Sequence, residues 1–162
     1  MGTCMTKSNA TDVLNATDVL EERLKDSSWS NCKPYVPQFA RGKIIKCYDG
    51  DTVTIATVLN DEVVRFNIRM LGYDCAEIKS KDEQEKKVAK WAKQTITDLI
   101  YGKMVNVVKN DGYDKYGRLL LELEIDGINV NHLMKEKWGV WYEGGHKNKV
   151  DWSKWTESGR SA

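Results

Sequence analysis

Arg69-Met70-Leu71-Gly72-Tyr73-Asp74-Cys75-Ala76-Glu77 is the stretch from which the rest of the chain is read. It closes a run in which Val64, Phe66, Ile68 and Met70 alternate with Arg65, Asn67 and Arg69, the period-two pattern of a half-buried strand. Arg69 therefore lies off the apolar row. Upstream, Asp49-Gly50-Asp51-Thr52 reads as a turn that opens a second strand, Asp51 to Val58, with Val53 and Ile55 on one face. Turn and strand end bring Asp51, Asp74, Glu77 and Arg69 into a short span. A third piece, Asp114-Lys115-Tyr116-Gly117-Arg118, adds a second guanidinium.

Working outward, Lys43 to Tyr48 reads as the first strand, and Asn60-Asp61 as the turn before the third. Ser80-Lys81-Asp82-Glu83 has the capping-box pattern, in which the serine caps a helix and the glutamate returns the bond. The helix continues through Val88, Ala92, Ile96, Leu99 and Ile100 to a stop at Gly102. Met104 to Lys109 is a strand, Asn110 to Gly117 a polar loop, and Arg118 to Ile125 a strand with Leu119, Leu121 and Leu123 on one face and Leu120 on the other. Asn129 to Trp138 is a short helix, and Tyr142 to Lys147 a loop. The polar remainder, with Trp152 and Trp155, is open to two readings, a docked tail or a frayed one. The order of elements predicts an α+β, mainly β fold: a five-stranded barrel like the oligonucleotide-binding (OB) fold, with two to three helices packed on it. The expected organisation is a tether over 1–41, the domain over 42–147 and a polar tail over 148–162.

The bulk numbers limit the partners. The 162 residues carry 25 basic and 24 acidic side chains, a net charge of +1, so the chain has no excess of cations for tight indiscriminate binding to nucleic acid. Any polyanion must be held by a few placed cations and a metal. Cys4, Cys32, Cys47 and Cys75 show no CxxC spacing, which argues against zinc and for free thiols. No signal-type or membrane-spanning apolar run is present, and an intracellular setting is expected. Met1 to Thr6 fits the N-myristoylation pattern at Gly2, and Cys4 is placed for palmitoylation. Together they would form a two-chain membrane anchor. Asn9 to Leu14 and Asn15 to Leu20 repeat one hexapeptide, and Val13, Thr17, Leu20 and Leu24 fall on one helical stripe of a partly helical tether. Over 27–41 we expect a linker whose Trp29, Tyr35 and Phe39 pack onto the domain.

Separated carboxylates with two guanidinium groups suit one chemistry. The acids hold a hard cation and activate a water, and the arginines hold a phosphate. The residues alone thus point to a metal-dependent phosphodiesterase.

The three motifs in this order resemble the staphylococcal nuclease (thermonuclease) family over about residues 42–147. The resemblance implies a calcium-dependent nuclease that cleaves DNA and RNA with little sequence preference, leaves 3′-phosphates and is a monomer. It implies that Asp51 and Asp74 bind Ca²⁺, with the backbone carbonyl of Cys75 standing where the family often has threonine. Glu77 takes the place of the general base, Arg69 and Arg118 those of the phosphate-binding arginines. Lys115 and Tyr116 sit where members contact nucleotide phosphate. Ala76 replaces a proline and loosens the backbone before Glu77.

A rival reading is a catalytically idle barrel that binds nucleic acid or a protein. The five filled positions at Asp51, Arg69, Asp74, Glu77 and Arg118 favour the enzyme. Tyr113, Tyr116 and Tyr142 either stack on bases or cap the barrel end. His132 and His146 have no metal-type spacing and read as structural or surface. Substitution of Glu77 or Arg69 by alanine is expected to cut turnover by orders of magnitude without unfolding the domain.

Overall fold

The structure is a computed structural model that describes residues 10–142, 144, 145 and 149–161. The chain forms two compact units, Met1–Tyr35 and Val36–Ala162. In the first, the helix α1 spans Ala10–Leu24, so the repeat is helical from Ala10 on, as its stripe predicts. Leu20 and Leu24 of that stripe remain exposed. Trp29 is fully exposed and Tyr35 largely so. Trp29 belongs to a turn closed by polar groups, in which the Ser28 N–H donates to Asn31 Oδ1 and Asn31 Nδ2 to Asp26 O. Of the three aromatics, Phe39 packs, stacked on Phe66 with ring centroids 5.7 Å apart.

The second unit is built on five long strands, β1 (Arg41–Cys47), β2 (Thr52–Leu59), β3 (Glu62–Met70), β5 (Met104–Tyr113) and β6 (Leu119–Ile125). They pair in the order β3-β2-β1-β5-β6, and a parallel pairing of β3 with β6 closes the sheet into a barrel. Register shifts in β1 and twice along β5 mark bulges, which give a short barrel the coiling it needs. One of them carries β5 on to Tyr113, through what the sequence reads as loop. The inward row of β6, Leu119, Leu121 and Leu123, is fully buried with Ile44, Ile55, Ile68 and Met70. Leu120 faces out of the core, as the alternation requires.

The helix α2 spans Glu83–Ile100 and buries Val88, Ala89, Ala92, Ile96 and Ile100. Its cap differs from the expected box. Asp82, not Ser80, is the N-cap, and its Oδ1 accepts from Gln84 N (2.7 Å) and Glu85 N (2.9 Å). Ser80 lies two residues too early to reach those donors. The helix α3, Val130–Trp138, buries Val130, Asn131, Met134 and Trp138, whose indole N–H donates to Thr95 Oγ1 on α2. Two pairs of short strands complete the unit, β4 (Tyr73–Asp74) with β8 (Val140–Trp141) and β9 (Trp155–Thr156) with β10 (Gly159–Arg160). β7 (Ile128–Asn129) extends β6. Trp152 and Trp155 are buried and 4.8 Å apart, so the C-terminal segment is docked.

Candidate active site

The turn that carries Asp51 is fixed from three sides. Tyr48 N donates to Thr52 O, Met70 N to Asp51 O, and the buried Tyr73 hydroxyl to Gly50 O at 2.8 Å. Only glycine fits at position 50, because a Cβ there would lie 2.8 Å from both Ala92 Cβ and Cys75 Sγ. The β2–β3 register then sets Thr52 opposite Arg69. The β2–β3 hairpin thereby delivers a carboxylate and a guanidinium to one end of the barrel.

Arg69 is the hub of what they form. It is 8% exposed, and its guanidinium is shared between two carboxylates: Nη1 lies 3.1 Å from Asp51 Oδ2, and Nη2 lies 2.6 Å from Asp74 Oδ1. Nη1 also donates to Met70 O. Burial would lower the pKa of this guanidinium, but Asp51 and Asp74 outweigh it and leave it raised. Asp51 is held further by the Cys75 N–H at 2.9 Å and by the Thr52 hydroxyl. Thr52 Oγ1 in turn accepts from Arg118 Nη1 at 3.3 Å. A continuous polar path thus joins Arg118, Thr52, Asp51, Arg69 and Asp74.

Arg118 is oriented by its own loop. Asp114 Oδ2 accepts from Arg118 Nε at 2.7 Å, while Oδ1 accepts from the Tyr116 and Arg118 backbone N–H groups. Burial would raise the Asp114 carboxyl, but these hydrogen bonds hold it below the usual carboxylate range. Gly117 has φ +76°, which closes the loop at no steric cost. Tyr116 is exposed, with Lys115 Nζ 5.0 Å and Arg118 Cζ 5.4 Å from its ring centroid.

Glu77 is exposed at the rim, on the loop between β4 and α2. Its backbone N–H donates to Glu85 Oε1 at 3.1 Å, and Glu85 Oε2 accepts from the Ser80 hydroxyl. The loop loosened by Ala76 is therefore tied to the first turn of α2. Ala76 itself is buried. Glu85 has no signature in the motifs; the signal for it was its place in the first helical turn.

All the predicted side-chain positions in the barrel unit, Asp51, Arg69, Asp74, Glu77, Lys115, Tyr116 and Arg118, line one open cleft of about 1620 Å³. Gly2 and Cys4 lie outside the described residues, as does His146. His132 on α3 and Trp141 on β8 are exposed at the cleft wall, beside the partly buried Tyr142, whose ring centroid lies 5.9 Å from Arg69 Cζ. Sequence reasoning passed over two contributors. Trp141 is 60% exposed and is placed by the β4–β8 pairing, which joins residues 66 and 68 positions apart. Asn131 is buried in the wall, and its amide ties three backbone groups: Nδ2 donates to Leu71 O and Leu121 O, and Oδ1 accepts from Leu123 N.

The donor set suits a hard divalent cation. Asp51 and Asp74 are buried carboxylates converging on one cationic group, which is where a metal ion would take up the same charge. Among the described residues no three His, Cys, Asp or Glu side chains close on a point as a metal site. The remaining ligands would have to be the Cys75 carbonyl, water and substrate oxygens. Asp49 lies beside them, and burial and the neighbouring Asp51 raise its pKa to about 7, so near neutral pH it carries only part of a negative charge. The Cys75 thiol is pushed well above its usual range by burial and offers no thiolate to compete.

A family model described as staphylococcal nuclease homologue matches residues 67–151, more than half of the chain. The chain belongs to the staphylococcal nuclease family. The match begins inside β3 and ends before the last two short strands, so it contains Arg69, Asp74, Glu77 and Arg118, while Asp51 lies upstream of it. An uncharacterized protein of Bacillus anthracis is 32% identical over 103 residues, which cover 62% of this chain and 46% of that protein. The chain thus spans under half the length of that relative.

Proposed function

We propose that the chain is a calcium-dependent nuclease that hydrolyses phosphodiester bonds of DNA and RNA with low sequence specificity and leaves 3′-phosphates. The observation that carries this reading is the single cleft in which Asp51, Asp74, Glu77, Arg69 and Arg118 meet. Family membership supports a nucleic-acid substrate.

In this reading Asp51, Asp74 and the Cys75 carbonyl hold Ca²⁺. When bound, the ion neutralises charge and orients the scissile phosphate. Arg118 presents a planar fork, preset by Asp114, to the phosphate oxygens that gain charge in the transition state. Arg69, which bridges the two carboxylates, would be the second cationic fork for the same oxygens if those acids held the ion. The Glu77 carboxylate takes the proton from the attacking water, at a height fixed by the Glu85 bond to its backbone. Lys115 and Tyr116 receive the adjoining nucleotide. Dual acylation at Gly2 and Cys4 completes the proposal by fixing the enzyme to a membrane surface. Mass spectrometry of protein made in a eukaryotic cell tests that part, and an unmodified Gly2 contradicts it.

The nuclease reading is tested by incubating the full chain with end-labelled DNA and RNA in Ca²⁺ and analysing the product ends. Cleavage of both with 3′-phosphate ends is expected. Cleavage leaving 5′-phosphates, or none by the folded protein, rules the reading out.

A further inference from the structure

The C-terminal segment, which runs from the end of the family match past it, builds a second groove of about 260 Å³, which shares Asp74, Trp141 and Tyr142 with the catalytic cleft. Its other wall carries Lys149, Lys154 and Arg160, all exposed. Among the described residues none of the three lies within ion-pair distance of a carboxylate, whereas Lys25, Lys86 and Lys109 each have one. The acid of this wall, Asp151, accepts the Ser153 N–H and hydroxyl at the start of a short 3₁₀ turn and feels the charge of Lys154 from beyond ion-pair distance. Arg160 is held against the wall, its Cζ 5.1 Å from the Trp155 ring centroid. The Trp155 indole N–H in that wall has no acceptor among the described residues. Between cleft and groove stands Trp141, exposed, with Lys135 Nζ 4.2 Å from its ring centroid.

We propose that this groove is an accessory subsite for single-stranded polynucleotide: backbone phosphates of the strand leaving the cleft bind at Lys149, Lys154 and Arg160 after the strand passes over Trp141. The inference rests on the nuclease reading. Unpaired cations beside an exposed aromatic ledge form the combination that holds a single strand without reading its sequence. The groove is continuous with the cleft, so one strand reaches both. With a net charge of only +1, the chain must hold a polyanion by such local placement.

The test uses the full chain carrying Glu77→Gln, so that bound substrate is cleaved far more slowly than it equilibrates, with Ca²⁺ present. Affinity is measured by fluorescence anisotropy for oligothymidylates of roughly three and roughly twelve nucleotides, at several salt concentrations. The longer strand is expected to bind more tightly. Adding Lys149→Ala with Lys154→Ala should cut that advantage roughly tenfold and reduce the salt slope by about 1.4, at about 0.7 per phosphate contact on a single strand. Thermal melting checks the fold, and Arg160→Gln alone decides by the same readout if the double variant melts early. An unchanged length advantage and salt slope in a folded variant overturns the subsite. Equal affinity for both lengths in the parent overturns it while leaving the nuclease reading in place. Failure to bind either oligonucleotide removes both.

Discussion

Glu77 lines the cleft while its backbone is held from below by Glu85, so its side chain and its position have separate causes. Glu77→Gln keeps the shape and removes the proposed base. We expect turnover to fall about 100-fold or more, with the thermal midpoint nearly unchanged because the side chain is exposed. Arg69 is different. The sequence places it off the apolar row, which is correct, and alternation then implies solvent. In the folded chain it is 8% exposed because β3 packs beside β6 and the cleft floor closes over it. It neutralises two buried carboxylates, so Arg69→Ala should cost about 3–5 kcal/mol of stability as well as activity, read by chemical denaturation. Loss of turnover in that variant alone therefore does not report a phosphate contact. Recovery of part of the lost stability on adding Ca²⁺ is expected, because a cation can then fill the place between the acids.

At the scale of elements, the strands and both domain helices were legible because their apolar periods are strong. Leu119, Leu121 and Leu123 are buried as the alternation requires. The β4–β8 pairing was not legible, since two-residue strands carry no period and their partners are far apart in sequence. Asn131 was missed for a related reason: nothing local distinguishes a buried amide from a surface one. Asn131→Ala strands up to three backbone groups and should cost on the order of 3 kcal/mol in denaturant unfolding. The loop from Asp114 to Arg118 makes a pH prediction. Asp114 is held below its unfolded range, so its contribution is present above about pH 4 and is lost as pH falls through the folded value. Asp114→Asn should be less stable than the parent at neutral pH, with the difference in melting temperature narrowing in acid. A constant difference down to the acid transition contradicts the hydrogen-bonded role.

For the molecule as a whole, the barrel unit is closed by its C-terminal segment. Trp152 and Trp155 are buried, although their setting in a polar sequence left docking and fraying equally open. Composition could not decide, because two tryptophans bury only if the chain before them returns to a core, and that return depends on β8. Trp152→Ala should cost about 3–5 kcal/mol in thermal or chemical unfolding. The cysteines test the same packing. Cys32 is exposed, whereas Cys47 and Cys75 are buried with thiols pushed up by burial. In alkylation mapped by mass spectrometry, Cys32 should react in the native protein, and the other two only on unfolding.

The most direct measurement is cleavage of single-stranded DNA by the full chain and by Glu77→Gln, side by side, first in Ca²⁺ and then in excess chelator. The account predicts cleavage by the parent in Ca²⁺, its loss in chelator, and a fall of about 100-fold or more in the variant. Equal cleavage by parent and folded variant, or cleavage that persists in chelator, contradicts it.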